Sequence, residues 1–399
     1  MITDSHLFLG EIFTNKDESL DSQTFSPDDA ITNEKYKKGE IRIVTEQARY
    51  PLDNIANMLD SKKYILNPEY QRRKRWDNTR KSRLIESFIM NVPVPPIFLY
   101  EIDYSIYEVM DGLQRLTTIY DFYKGKFLLE NLEYWRELNN RSYDNLPEQV
   151  RKGIDRRYLS SIVLLQETAK SEAEADHLKQ IVFERLNSGG EKLTSQETRN
   201  ALLNGKFNQL CIKLAKNDYF RQMWQLPLES ESEEKLLESE RYRKMEDVEL
   251  VLRFFAYRHI DHLTSPIDRF LDDYLKQAND YPDKTLKELE NLFNITVELI
   301  YQIFQESAFL LPTNERVSKS PSKTVYDPVM QSFAFNIAHK DNLLKNAETI
   351  RKNKYKDKST LFPNNNEKNL FDGRNNNRAD VKSRIEYFNN FLKDYIHKF

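Results

Sequence analysis

The stretch from Tyr107 to Thr118 constrains the fold of this chain more than any other segment. A short apolar strand runs into Asp111-Gly112, and a polar turn then leads into the start of a helix. The chain has only 9 glycines in 399 residues, so a glycine at this point indicates a geometric requirement. Glycine accepts a positive φ without steric penalty, and Asp-Gly is therefore typical of tight turns. The sequence predicts a sharp strand–turn–helix.

This turn would bring several functional side chains together. Asp111, Gln114 and Arg115 would face one spot beside the first free N–H groups of the helix, which suits a phosphate. Arg115 offers forked, permanently charged donors, and Asp111 could hold Mg²⁺ or orient a water. Thr117 and Thr118 complete this group of candidates. An ordinary strand-to-helix turn capped by Asp111 stays an open alternative, because the pattern matches no standard phosphate loop.

A second candidate site is a basic cluster between residues 72 and 83. Its cations are interrupted by one acid, Asp77, and the aromatic residues Tyr70 and Trp76 accompany them. The cations are Arg72, Arg73, Lys74, Arg75, Arg80, Lys81 and Arg83. Basic and aromatic residues together suit nucleotide phosphates and bases. The alternative is a solvated, cationic helix start with Trp76 packed inward.

A third candidate lies between Phe183 and Thr194, where one helix ends, two glycines follow and a new helix begins. Gly189 is an ordinary helix C-cap in the simplest interpretation. In the functional interpretation, Asn187 and the glycine backbone line the same site as Arg115. Both interpretations fit the sequence.

The order of predicted elements indicates an α+β fold. Strands and helices alternate irregularly up to about residue 165, and the chain after about residue 171 is nearly all helical. We expect an N-terminal arm over residues 1–40, an α+β domain over 41–205 and a helical domain over 206–399. The acidic run 229–234 is predicted to be a solvated loop.

Composition limits the partners and the compartment. The formal net charge is -3, so any nucleic-acid contact must come from a local basic patch. No apolar run approaches the roughly 20 residues that span a bilayer, and the N-terminus lacks the blocks of a signal peptide. The single cysteine, Cys211, cannot form an internal disulfide. These features predict a cytoplasmic protein without a membrane partner.

Several motifs occur in a fixed order along the first half of the chain. They are Tyr70-Gln71-Arg72, Trp76, Leu84-Ile85-Glu86-Ser87, Pro93-Val94-Pro95-Pro96-Ile97, Asp111-Gly112-Leu113-Gln114-Arg115-Leu116-Thr117-Thr118, and Phe183 followed by Asn187-Ser188-Gly189. Together they resemble the GmrSD N-terminal-domain family over about residues 40–205. The resemblance implies a ParB/sulfiredoxin-like α+β core followed by helices.

The resemblance also implies a function in bacterial defence against phage or modified DNA, through nucleotide hydrolysis or DNA processing. The family's Asp-Gly-Gln-Gln-Arg motif corresponds to residues 111–115, with Leu113 in place of the first glutamine. Many relatives carry a C-terminal HNH-type nuclease domain. This chain has no paired catalytic histidines near its end, so it resembles a stand-alone member without that domain.

Three hypotheses follow for the activity. The first is a nucleoside triphosphatase coupled to DNA sensing, in which Arg115 and Arg72 clamp phosphates, Asp111 holds Mg²⁺ or polarises a water, and Gln114 positions that water. Further nucleotide contacts are assigned to Tyr70, Gln71, Trp76, Gly112, Thr117, Thr118, Asn187 and Gly189, and DNA contacts to Arg73, Lys74 and Arg75.

The second hypothesis is a DNA nuclease that uses the same Asp111 and Arg115. The third is a non-catalytic sensor of DNA or nucleotide that recruits a nuclease or another defence protein. The long helices of the second half leave room for a homodimer interface. The nucleotide and DNA preferences stay open.

Overall fold

The structure is a computed structural model that describes residues 6–14, 29–38, 43–66, 76–165, 172–186, 193–263, 266–312, 317–355, 370–371 and 377–396. The chain divides into two compact units. One comprises residues 19–193, here the α/β unit, and the other residues 194–399 together with residues 1–18, here the helical unit.

The α/β unit alternates short strands and helices. Its elements are α1 (Asp29–Lys38), β1 (Thr45–Pro51), α2 (Ile55–Asp60), β2 (Tyr64–Ile65), α3 (Asn78–Met90), β3 (Ile97–Asp103), β4 (Ile106–Asp111), α4 (Leu113–Tyr123), α5 (Glu148–Asp155), β5 (Tyr158–Leu164) and α6 (Glu172–Leu186). The predicted strand that leads into Asp111-Gly112 and the helix that follows it are both present. The alternation of residues 41–44 also predicts a strand, but the structure begins β1 at Thr45, and residues 41–42 lie outside the described residues.

The five strands form one mixed sheet in the order β1-β5-β3-β4-β2. β1 and β5 are antiparallel, β5 and β3 parallel, β3 and β4 antiparallel, and β4 and β2 parallel. The sheet curls enough for its two edge strands to meet, since the hydroxyls of Tyr50 on β1 and Tyr64 on β2 lie 3.4 Å apart. The mixed sheet followed by helices confirms the predicted α+β class.

The two faces of the sheet have different environments. Leu99 and Val109 belong to a core that also includes Ile85 of α3 and Leu116 of α4. The neighbouring residue Glu108 instead forms an ion pair with Lys179 of α6. Because successive side chains of a strand point to opposite faces, α3 and α4 lie on one face of β4 and α6 on the other.

The helical unit contains helices and one short hairpin. Its elements are α7 (Ser195–Leu202), α8 (Lys206–Leu214), α9 (Asp218–Met223), α10 (Glu233–Glu238), α11 (Glu240–Arg243), α12 (Glu246–Ala256), α13 (Ile267–Ala278), α14 (Asp283–Phe304), β6 (Leu310–Pro312), β7 (Val317–Pro321), α15 (Lys323–Phe335), α16 (Lys340–Lys345), α17 (Ala347–Asn353) and α18 (Arg378–Ile396). A 3-10 segment, Tyr257–His262, extends α12. None of the described helices combines the length and apolar character needed to cross a bilayer.

Helix α7 explains why the units divide near residue 193. Its first turn has a capping box, in which Thr194 and Glu197 exchange side chain-to-backbone hydrogen bonds. Arg199 is buried and pairs with Asp268 at 2.8 Å and Asp272 at 2.7 Å. These bonds tie α7 to α13, so the division differs from the predicted boundary at residue 205.

The N-terminal segment 6–14 packs into the helical unit, unlike the arm that the sequence predicts. Phe13 is buried against His259, Phe270 and Tyr274. Further along, residues 29–38 form helix α1. The arm interpretation is therefore wrong for residues 6–14, because the Phe13 ring and the Glu11 carboxylate are both buried, and Glu11 pairs with Arg258 of the helical unit.

The acidic run is largely exposed, as expected of a solvated loop, and its last two residues begin α10. Glu229 pairs with Lys216 and with the buried Arg221. Glu231 pairs with Lys235 of α10. These ion pairs hold parts of the run against the helical unit while Glu229, Ser230, Ser232 and Glu234 stay exposed.

Candidate functional site

The predicted strand–turn–helix is present at the end of β4. Gly112 is the N-cap residue of α4 and has a φ of 98°. A Cβ built at Gly112 would lie 2.3 Å from Cγ2 of Ile97, well inside van der Waals contact. Both the positive φ and the close approach of β3 require a glycine here.

Asp111 and Arg115 lie together across this turn. The distance from Arg115 Nη2 to Asp111 Oδ2 is 2.6 Å, and the same nitrogen donates to the carbonyl oxygen of Pro96 at 3.2 Å. The Asp111 side chain is 43% exposed and that of Arg115 is 15% exposed. A solvent-accessible carboxylate therefore covers a guanidinium that is largely enclosed.

The remaining donors of Arg115 are only partly used. Its Nε is buried and has no hydrogen-bond partner among the described residues. Buried donors without partners are rare in proteins and often mark functional sites. The Arg115 guanidinium thus has one buried donor that the described residues leave unsatisfied.

Gln114 makes a contact that the sequence did not reveal. Its side-chain oxygen accepts a hydrogen bond from the backbone N–H of Trp76 at 3.1 Å. The Trp76 ring lies under the guanidinium of Arg80, 4.7 Å from the ring centre. Gln114 therefore holds the backbone at the point where the basic segment enters α3. Its side-chain oxygen already accepts this hydrogen bond.

Thr117 and Thr118 do not fit the predicted phosphate contacts. The Thr117 hydroxyl donates to the backbone carbonyl of Leu113 at 2.9 Å, and that of Thr118 to Gln114 at 2.6 Å. Thr118 is also fully buried. Threonine hydroxyls inside a helix commonly bond the carbonyl four residues earlier, and this local bond satisfies both side chains.

The basic cluster is only partly described. Arg80 and Arg83 are exposed on α3, whereas Lys81 pairs with Asp121 of α4 at 3.1 Å. Asp77, the one acid in the cluster, caps α3 by accepting the backbone N–H of Arg80 at 2.7 Å. Lys81 therefore links two helices, and among the described cations of the cluster Arg80 and Arg83 remain open to an external anion.

Eight of the predicted ligand-contacting residues lie outside the described residues. They are Tyr70, Gln71, Arg72, Arg73, Lys74, Arg75, Asn187 and Gly189. Their approach to Asp111 and Arg115 stays a prediction.

The carbonyl of Pro96 is a site component that sequence analysis missed. The prolines at positions 93, 95 and 96 indicate only that α3 ends before them. The structure shows that the carbonyl oxygen of Pro96 also orients Arg115. Backbone acceptors leave no signature in side-chain identity, so the motif alone could not identify it.

Comparison with known proteins places this turn inside a defined domain. Residues 55–204 match the family described as GmrSD restriction endonuclease, N-terminal domain. Neither the curated proteins nor the solved structures compared with the chain gave a match. The matched range contains Asp111, Gly112, Gln114 and Arg115, and its family is one of restriction enzymes. Over residues 55–204, the chain therefore carries a GmrSD-type N-terminal domain.

Proposed function

We propose that this domain binds and hydrolyses a nucleoside triphosphate, and that hydrolysis is coupled to DNA sensing in a restriction or anti-phage defence system. The observation that supports this most is the Asp111–Arg115 pair at the N-terminus of α4. Backbone N–H groups and the positive end of the helix dipole favour an anion at that position.

The ion pair gives each residue a role. Arg115 would exchange its bond with Asp111 for a bond to a phosphate oxygen, since a guanidinium binds phosphate through parallel donors. The released Asp111 carboxylate would then be free to accept a proton from, or orient, the attacking water. That water would form a bond to the terminal phosphorus as the bond to the leaving diphosphate oxygen breaks. The positive charge of Arg115 would stabilise the charge on the transferring group.

Magnesium fits this chemistry. It is bound in such sites by one or two carboxylates together with the substrate phosphates, and Asp111 is a partly exposed carboxylate beside the proposed phosphate position. The ion would neutralise the phosphate charge when bound. Asp111 is the described residue that would hold it, as the alternative to acting on the attacking water directly.

The contact between Gln114 and Trp76 supports the coupling to DNA. Residues 73–75 carry the predicted DNA contacts, and the backbone N–H of the next residue, Trp76, bonds to the side chain of Gln114, which precedes Arg115. A shift of the basic segment on DNA would therefore act on the first turn of α4. In this proposal Gln114 works as a positioning residue rather than through a direct bond to water.

A non-catalytic sensor is the second candidate. Asp111 and Arg115 hydrogen-bond to each other, and the Gln114 side chain accepts the backbone N–H of Trp76. The same geometry therefore also suits a rigid anion-binding turn. Such a sensor would bind nucleotide or DNA without turnover and recruit a nuclease. A nuclease that acts with Asp111 and Arg115 on a phosphodiester is the third.

One set of assays separates these functions. Phosphate release by the full chain is measured over a nucleotide panel with Mg²⁺, with and without DNA, and plasmid integrity is followed in parallel. We expect turnover that Asp111→Asn lowers at least about 100-fold, within the range of effects seen for groups that act in proton transfer. Asp121→Asn, which removes the carboxylate on α4 that pairs with Lys81 of α3, is the matched control and should retain turnover.

The outcomes assign the function directly. Turnover unaffected by Asp111→Asn would contradict the assigned site. Nucleotide binding without turnover in the wild type would favour the sensor, and plasmid cleavage lost in Asp111→Asn would favour the nuclease.

A further inference from the structure

The loop of residues 129–141, between α4 and α5, exposes two adjacent aromatic side chains. Tyr134 is 68% exposed and Trp135 is 39% exposed. Neither ring contacts another ring or a cation, and neither polar group is hydrogen-bonded, within the part of the chain that the structure describes. Single exposed apolar side chains are ordinary on protein surfaces, so the case for a function depends on how this pair is held.

This aromatic loop is closed and packed by its own residues. The N–H of Leu129 donates to the carbonyl oxygen of Arg141 at 3.0 Å, and the N–H of Asn140 donates to that of Leu129 at 2.7 Å. Leu132 and Leu138 are buried in the core of the α/β unit. Compact surface loops with close ends and packed side chains are frequently functional.

A buried carboxylate fixes the tip of the aromatic loop to α3. Glu86 is 3% exposed and accepts the backbone N–H groups of Glu133, Tyr134 and Trp135 at 3.3, 2.7 and 2.9 Å. These bonds use only the loop backbone, so they hold the two aromatic side chains in place without covering them. A surface that is already ordered loses little conformational entropy when it binds a partner.

Exposed cations lie beside the aromatic loop on the same helix. Arg83 is four residues after Thr79 and three before Glu86, and Thr79 also contacts the loop through Glu130, at 3.0 Å. Residues three and four apart share a side of a helix, so Arg83 faces the loop side of α3 and Arg80 is its neighbour. Both arginines are exposed, and neither forms an ion pair with the described residues.

A third aromatic ring lies at the other end of these cations. Trp76 precedes α3, and the guanidinium of Arg80 covers its ring at 4.7 Å from the ring centre. A helix rises about 1.5 Å per residue, so Trp76 and the contact at Glu86 are about 15 Å apart along α3. This surface therefore carries an aromatic ring, two cations and two further rings in order. Aromatic rings and cations in such a row suit the bases and phosphates of one nucleic-acid strand.

The charges within the aromatic loop limit what it contributes. Glu133, Arg136 and Glu137 are all exposed, so the loop tip has no excess of positive charge. It therefore cannot attract phosphates in the way that Arg80 and Arg83 do. The faces of Tyr134 and Trp135 remain, and stacking on a base does not require a net charge.

We propose that Tyr134 and Trp135 stack on unpaired DNA bases, while Arg83 and Arg80 contact the phosphates of the same strand. Bases inside a duplex are covered by their neighbours, so stacking on these rings requires single-stranded or locally opened DNA. The inference rests on the DNA sensing proposed above and specifies the form of DNA that is bound. All of the residues involved belong to the α/β unit.

DNA-binding measurements on the full chain test this. Dissociation constants for a fluorescein-labelled thymidine oligonucleotide, and for its duplex with the complementary strand, are measured by anisotropy over a series of salt concentrations. The variants are Tyr134→Ala, Trp135→Ala, Trp135→Phe and Arg83→Gln. Tyr104→Ala is the matched control, because Tyr104 is 85% exposed in the turn between β3 and β4.

We expect each alanine variant of the aromatic loop to raise the dissociation constant for the single strand at least about fivefold, the lower end of the effect of losing one stacked base. The duplex should be affected less, and Trp135→Phe should cost less than Trp135→Ala because a phenyl ring still stacks. Arg83→Gln should reduce the dependence of log K on log salt by about 0.7, the value for one phosphate of a single strand. The alanine variants should leave that dependence unchanged, and Tyr104→Ala should behave as the wild type.

Three results would overturn the proposal. If the alanine variants bind the single strand as tightly as the wild type does, the aromatic loop does not contact DNA, and a protein becomes its expected partner. If single strand and duplex lose affinity equally, the bases are not unpaired. If the wild type binds neither form, the DNA sensing proposed above fails as well, whereas phosphate release, measured separately, still reports on the Asp111 site. Both substituted rings are exposed and the loop is held through its backbone, so the variants keep the Glu86 contacts.

Discussion

The side-chain oxygen of Gln114 accepts the backbone N–H of Trp76, with 3.1 Å between the two atoms. The two residues lie 38 positions apart in the chain, and the bond joins the start of α4 to the segment that enters α3. It fixes the backbone at Trp76, inside the basic cluster, to the residue that precedes Arg115 in α4. Residue 114 therefore needs a side chain that can accept a hydrogen bond from this N–H.

Gln114→Ala should lower the free energy of unfolding of the α/β unit by about 1 kcal/mol, the usual net value of one hydrogen bond. Gln114→Glu should lower it less, because a carboxylate oxygen can accept the same N–H. Hydrogen exchange at the amide of Trp76, followed by mass spectrometry or NMR, measures both effects. Exchange rates at the Trp76 amide that are equal in both variants and in the wild type would show that the bond is unimportant.

Gly112→Ala should destabilise the α/β unit by more than about 2 kcal/mol. The added Cβ would meet Ile97 at 2.3 Å, and the φ of 98° is unfavourable for any residue with a Cβ. Gly125→Ala is the matched control, since Gly125 also has a positive φ, 67°, but a Cβ there meets nothing within 4 Å. Only the backbone cost of about 1–2 kcal/mol should then remain.

Hydrogen exchange of peptides from α4 would compare the two glycine variants. If both variants lose the same protection, the contact with Ile97 makes no separate contribution. The need for glycine would then come from the backbone angle alone.

The turn itself could be predicted from the sequence, because its determinants are local. Asp-Gly at the end of an apolar strand fixes the bend, and residues 111 and 115 are four apart across the first turn of a helix, so their side chains meet. The same local reasoning failed for Thr117 and Thr118. A helical threonine can bond its own helix, and the sequence does not distinguish that bond from a ligand contact.

Contacts between distant segments could not be predicted in this way. Gln114 finds its partner 38 residues away, and Glu11 finds Arg258 at a separation of 247 residues. No periodicity of residues 1–40 signals that Phe13 and Glu11 would be buried. These features depend on tertiary packing, which overrides the polar appearance of the segment.

The burial of Glu11 predicts a pH dependence. Burial alone would raise the pKa of Glu11, but its hydrogen bonds with Arg258 and the nearby His259 ring, 3.4 Å away, outweigh burial and lower the pKa below its usual value of 4.5. A carboxylate with a lowered pKa stabilises the folded state fully above pH 4.5. That stabilisation is lost as the pH falls through the lowered pKa.

Glu11→Gln should therefore cost about 3 kcal/mol near neutral pH, because it leaves the buried Arg258 without its counter-charge. The difference from the wild type should shrink below pH 4.5. Urea unfolding followed by the fluorescence of Trp224, with Trp76 and Trp135 replaced by phenylalanine, reports on the helical unit. A difference that stays constant from pH 7 to pH 3 would show that the Glu11 charge has no role.

The central proposal is that Arg115 receives a phosphate group at the start of α4, and nucleotide affinity tests it most directly. Dissociation constants of nucleoside mono-, di- and triphosphates are measured by calorimetry for the wild type and for Arg115→Gln, with Lys81→Gln as a control on a cation that pairs with Asp121. We predict that wild-type affinity rises with the number of phosphates and that Arg115→Gln weakens triphosphate binding at least about tenfold, a loss of about 1.4 kcal/mol. Equal affinities in the wild type and in a folded Arg115→Gln variant would contradict it.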